Sequence, residues 1–207
     1  MHLPDGIIPI NQAIIYWIII LVFIGFYFYK IRKTEDYKYR LISTAIFSAA
    51  VAVCSAISIP TPFGIPIHFF LIPLAVLILG PNNGVIVTFI ALLVQALFLG
   101  MGGIVSLGAN VFIMGIIISF VTFGFYKLFI NINKSLAVFI GTLTGIIFAS
   151  ICQMLIILIS GSGNFEILTI TLVPFYILVG IIEGFINIII MSFIEKMKPE
   201  MLDLEKI

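Results

Sequence analysis

The chain holds only two imidazoles, and both stand where a metal ion could use them. His2 directly follows Met1, so an α-amine, the next peptide nitrogen and an imidazole can bind one ion through adjoining chelate rings. An α-amine titrates at roughly 7.7 to 8.0, low enough to lose its proton when a metal competes for it. His68 follows a Pro-rich break, Ile59-Pro60-Thr61-Pro62-Phe63-Gly64-Ile65-Pro66. Its ring could take a fourth position if the chain returned it to the same side as residue 1. A square-planar nitrogen set is the preference of Ni(II) or Cu(II), whereas zinc favours a tetrahedron.

The elements that must carry these groups are membrane helices. Hydrophobic residues make up 62% of the 207 and charged residues 9%, against about 25% charged in an ordinary soluble domain. The reading is an all-α integral membrane protein, one domain over 1–207, with about seven spans. They cover Ala13 to Tyr29, Leu41 to Ile59, Phe69 to Leu79, Val85 to Leu99, Gly108 to Phe129, Leu136 to Ser160 and Leu172 to Ile194. The third and fourth are shorter than the roughly 20 residues that a perpendicular crossing needs. The stretch from Gly80 to Gly84 reads as a loop between them.

With seven spans, all ten Lys and Arg residues fall on one face: Lys30, Arg32, Lys33, Lys38 and Arg40, then Lys127 and Lys134, then Lys196, Lys198 and Lys206. The positive-inside rule makes that face cytoplasmic. The carboxyl-terminal tail, 196–207, is then cytoplasmic, and the amino-terminal segment, 1–12, lies outside with the loop that carries His68. That outer face holds only Asp5 and Glu166 as acids, which leaves a six-oxygen calcium or magnesium site poorly served. No basic residue precedes the first span, so a cleaved signal peptide is not expected and residue 1 should persist. A net charge of +1 suggests no nucleic-acid partner.

Other polar residues have two readings each. Asp5 either orients a metal ligand or caps the first helix. Gln95 and Asn110 either face a polar cavity or bridge neighbouring helices. Glu183, the single acid within a span, reads as a packing or coupling residue set away from the histidines. Ala45 and Ala49, and Ser48 and Ala52, stand four apart and allow close helix approach, either inside the bundle or to a second membrane subunit. Cys54 and Cys152 belong to no CxxC pair and read as small core residues. The absence of a GxxxxGK[ST] loop removes ATP hydrolysis from this chain, and the absence of HExxH argues against an intramembrane metalloprotease.

Met1-His2-Leu3-Pro4-Asp5-Gly6 resembles the amino-terminal signature of the NikM/CbiM type of substrate-capture subunits, which serve energy-coupling-factor transporters for nickel and cobalt. The resemblance continues through Leu79-Gly80-Pro81, Val94 to Gly103, Leu107 to Gly115 and Glu183-Gly184. It implies an amino terminus inserted into the bundle, with Met1, His2 and His68 as metal ligands. It also implies a membrane coupling subunit, cytoplasmic ATPase subunits and a small accessory membrane subunit as partners. Around the later histidine this chain has Ile67-His68-Phe69 where the family commonly has Gly-His-Leu. Ile113 replaces an Asn, and Pro174-Phe175 stands where a further histidine is often found.

The expectation is a non-enzymatic, multi-pass plasma-membrane subunit of an ATP-driven importer, with no permanent cofactor and Ni(II) or Co(II) as bound cargo. Asp5, Gln95 and Asn110 would support the ligands. The alternative is a carrier for a small organic solute with no metal dependence.

Overall fold

The computed structural model describes residues 1–34, 36–59 and 67–198. The Pro-rich break at 60–66 and the tail at 199–207 lie outside the described residues. Among the described residues eight α-helices follow one another: α1 (Ile10–Ile31), α2 (Tyr37–Ala56), α3 (Ile72–Leu79), α4 (Pro81–Val94), α5 (Leu107–Val111), α6 (Ile118–Phe129), α7 (Lys134–Ile159) and α8 (Phe165–Met197). A two-residue antiparallel ladder, β1 (Ser58–Ile59) with β2 (Ile67–His68), sits between α2 and α3 and pairs Ser58 with His68. α4 continues through a π-helical stretch to Leu99, and a second π-helical stretch, Phe112–Ile117, joins α5 to α6.

Among the described residues, six helical segments are long and apolar enough to cross a membrane. The chain is an all-α, multi-pass membrane protein, as its composition indicates. The third expected span is different in kind. α3 is eight residues long and every one is buried, so it covers only about 12 Å at 1.5 Å per residue. The chain reaches it through the non-helical residues Phe69, Phe70 and Leu71.

The supposed loop Gly80 to Gly84 is also helix. Pro81 opens α4 at the position where a missing N–H costs nothing. Asn83 is buried and satisfied, its amide donating to the Leu79 carbonyl at 2.6 Å and its oxygen accepting from the Tyr27 hydroxyl at 2.6 Å. Gly84 is there for close packing rather than for a turn. A Cβ on it would collide with the Val76 side chain and stand 2.8 Å from the Ser119 hydroxyl.

Hydrogen bonds between elements show which helix ends share a level. Tyr27 near the end of α1 meets Asn83 at the start of α4. Lys134 at the start of α7 pairs with Glu195 near the end of α8 at 2.7 Å. Every described Lys and Arg belongs to this end, and the chain start lies at the other. The long helices α7 and α8 are each opened by an asparagine whose side chain accepts backbone N–H groups, Asn133 and Asn164.

On α2 the small-residue rows separate. Ser48 and Ala52 are 2% and 7% exposed, turned inward, while Ala45 and Ala49 face outward. Positions 45 and 48 differ by three residues, so the rows lie side by side on the helix and only one meets α4. Ser48 and Ala52 therefore pack internally and cannot belong to a subunit-docking surface.

Candidate metal centre

The segment before α1 does not trail into solvent. It lies folded into the bundle, with Leu3 and Ile8 only 2% and 3% exposed. Asn110 holds Leu3 as a neighbouring strand would, accepting its N–H at 2.7 Å and donating to its carbonyl at 3.0 Å. Ser106 adds a hydroxyl bond to the same carbonyl at 2.6 Å. Asp5 accepts the Ser106 N–H at 2.8 Å and stands 3.0 Å from its hydroxyl oxygen, so it caps the start of α5 and not α1. The helix α1 begins after Pro9 with no side-chain cap at all. Burial would raise the Asp5 carboxyl, but hydrogen bonds from Ser106, Val105 and Ile104 outweigh it and hold the group below its ordinary value.

Two glycines make this docking possible. Gly102 has φ of 74°, and a Cβ there would lie 3.2 Å from the Asn110 amide and 3.6 Å from the His2 ring. On Gly103 a Cβ would collide with the Asp5 carboxylate. In the sequence the glycine cluster entered only as part of the family resemblance, with no role of its own. Its function is to let a loop lie flat against residues 2 to 5.

With the segment pinned, Met1, His2 and His68 border one cavity of about 220 Å³, walled by Phe70 and by Phe175, Tyr176 and Val179 of α8. No carboxylate among the described residues lines it. Among the described residues no three His, Cys, Asp or Glu side chains converge anywhere, so nitrogens of the chain start are the donors that this cavity can add to two imidazoles. The place where the family's further histidine was expected supplies apolar wall, Phe175 beside Tyr176.

Gln95 decides which nitrogen of His2 is free. Its amide NH₂ donates to the Ala52 carbonyl at 3.2 Å and to the Ser55 hydroxyl at 2.7 Å. A carbonyl can only accept, so the Gln95 oxygen must be the atom turned toward His2, at 3.0 Å from Nε2. That oxygen needs a donor, which puts the proton on Nε2 and leaves a lone pair on Nδ1. Nδ1 is also the ring atom that closes a six-membered chelate with the peptide nitrogen of the same residue. Gln95 thus bridges to α2, as one of its two readings has it, and bonds to His2 as well.

Glu183 was expected away from the histidines; the structure ties it to the chain just beyond His68. Fully buried on α8, it accepts the N–H of Phe70 at 2.9 Å and the N–H of Leu71 at 2.8 Å. Leu71 has φ of 51°, a left-handed conformation unusual for a side chain of that size. A two-pronged carboxylate makes this bend possible by satisfying both N–H groups where the chain turns into α3. Glu183 stands midway along α8, and the chain just after His68 meets it there.

The site's electrostatics favour neutral nitrogen donors. Burial lowers the Met1 amine from 8.0 to about 5. Burial first, then the nearby amine charge, lowers His2 from 6.5 to about 4 against the opposing pull of Gln95. His68 is lowered by burial and by the amine charge, with a backbone contact to Ser55 pulling the other way. Its Nδ1 is buried without a hydrogen-bond partner. Unprotonated amine and imidazole nitrogens, one of them orphaned, are what a borderline metal cation would satisfy.

An apolar helical bundle closed around a nitrogen-lined cavity at one end defines a polytopic membrane protein with the donor set of a transition-metal binder. Residues 2–201 match the family model described as CbiM, cobalt uptake substrate-specific transmembrane region, and the chain belongs to that family. The cobalt transport protein CbiM of Thermosipho melanesiensis is 33% identical over 208 residues, covering 95% of this chain and 87% of that protein. A protein of Archaeoglobus fulgidus that carries the name of a fused nickel transport protein, NikMN, is 31% identical over 207 residues, covering 98% of this chain and 68% of its own length. A crystal structure of a transition metal transporter superposes with a TM-score of 0.84 at 26% identity, over 95% of this chain and 93% of that one. The chain is a substrate-specific membrane component of metal uptake.

Proposed function

We propose that this chain captures Ni(II) or Co(II) at the extracellular face as the substrate-binding subunit of an ATP-driven energy-coupling-factor importer. The Met1 amine, the ionised His2 amide, His2 Nδ1 and the His68 imidazole are its ligands. The observation that carries the reading is the shared cavity of Met1, His2 and His68, with the Gln95 bond freeing Nδ1 of His2. Amine and amide close a five-membered ring and amide and Nδ1 a six-membered one, leaving one planar position for His68. Such a planar nitrogen set, and the general order of metal affinities, favour nickel over cobalt.

Extracellular capture is supported by the basic residues, all of which lie at the opposite end of the bundle among the described residues. The chain has no nucleotide-binding loop, so energy must come from partners: a membrane coupling subunit and cytoplasmic ATPases, with a small accessory membrane subunit. Gln95, Asn110 and Asp5 hold the ligating segment without touching the cargo. The test is a retained Gly-Ser tag of several residues ahead of Met1, which leaves no free amine near His2, against the untagged protein, with nickel binding read by calorimetry. The extension displaces the amine and should abolish binding while the helical circular-dichroism signal is kept. Undiminished affinity in the extended protein refutes the ligand set.

A further inference from the structure

At the end of the bundle opposite the nitrogen cavity there is a second cavity, of about 230 Å³, between the last turns of α1 and the α3–α4 junction. Its walls divide by chemistry. Phe23, Phe26, Ile31 and Leu79 form an apolar side. Lys30 and Arg40 bring two positive charges, and among the described residues no carboxylate lines it.

The first turn of α4 closes the polar side. Among the described residues no side chain caps that helix, and the Asn83 amide cannot do so because Tyr27 and Leu79 occupy it. The N–H groups of Asn82 and Asn83 therefore add a partial positive charge to that of the two cations. The cavity stands at the level of the basic residues, where lipid headgroups meet the protein. Phe26, on its apolar side, is 60% exposed on the outer face of α1.

The geometry points to a binding site for an anionic phospholipid. The phosphodiester lies against Lys30, Arg40 and the start of α4, and the acyl chains run along Phe23 and Phe26. Basic pockets between helices on the cytoplasmic side suit such headgroups. The apolar half of the wall favours a lipid over free phosphate, which would use the polar half alone.

The test is thermal unfolding and native mass spectrometry of the full-length protein in detergent, with added phosphatidylglycerol, phosphatidylcholine or inorganic phosphate. Phosphatidylglycerol should raise the unfolding temperature and stay bound where phosphatidylcholine does not, and phosphate alone should do neither. Lys30→Gln with Arg40→Gln should weaken retention on the order of tenfold. Lys30→Gln alone, at an exposed position, should weaken it measurably and serves if the double variant fails to fold. Equal responses to the two lipids, or unchanged retention in the Lys30→Gln protein, overturn the proposal. So does an equal effect of inorganic phosphate. Loss of coupling-subunit binding in the Lys30→Gln protein, without any lipid effect, would reassign the cavity to a protein contact.

Discussion

Gln95→Ala separates a positioned ligand from one that is merely nearby. The substitution removes the acceptor for His2 Nε2–H, together with the donor to Ala52 and Ser55. Partners that orient a metal-bound histidine from outside are worth about 10- to 100-fold in affinity, or about 1.4 to 2.7 kcal/mol. The second bond to the Ala52 carbonyl, which keeps its helical partner, is also lost, at about 0.5–1.5 kcal/mol of stability. Gln95→Glu separates the two effects. A carboxylate still accepts from Nε2 but cannot donate to Ala52, so metal affinity should recover toward the parent while stability does not. Nickel calorimetry on the untagged protein, with thermal unfolding alongside, reads both quantities. If Gln95→Ala binds nickel within about twofold of the parent, the orientation argument is wrong.

Two other outcomes follow from the same geometry. At pH 7 an unshifted amine would carry about 0.9 proton and each imidazole about 0.2, so binding with amide ionisation would release about 2.4 protons. With the amine lowered to about 5 and His2 to about 4, release should fall to about one, which calorimetry in buffers of different ionisation enthalpy measures. Release above two would refute the buried neutral site. The sign for the empty protein is fixed in the same way. The undocked segment takes up protons first, so docking is fully favoured above pH 8, weakens as pH falls from there through about 5 for the amine and from 6.5 through about 4 for His2, and levels off below. Glu183→Ala, which orphans the N–H groups of Phe70 and Leu71, should lower metal affinity by about 10- to 100-fold. Its Cu(II) spectrum should lose one nitrogen and match that of His68→Ala; a retained four-nitrogen spectrum refutes a positioning role.

Much of this protein is written in one dimension. Long apolar runs decide that helices cross a bilayer, because no other open-ended structure satisfies its backbone there. The placement of Lys and Arg decides which ends share a side. The donor types of Met1, His2 and His68 already favour a borderline transition metal over a hard cation.

Other features depend on where separate segments meet. Nothing in sequence indicates that Glu183 receives the chain after His68, since the bond spans 113 positions and depends on an unusual Leu71 backbone. The cap role of Asp5 was hidden because its helix begins a hundred residues later, and the split of Ser48 from Ala45 needed the face that α4 covers. Gly80 to Gly84 misled for a similar reason: glycine and proline are local turn signals until a neighbour such as Val76 makes close packing the stronger demand. Local chemistry sets which atoms can bind, but desolvation and hydrogen-bond partners, which only the folded bundle supplies, decide their protonation and aim.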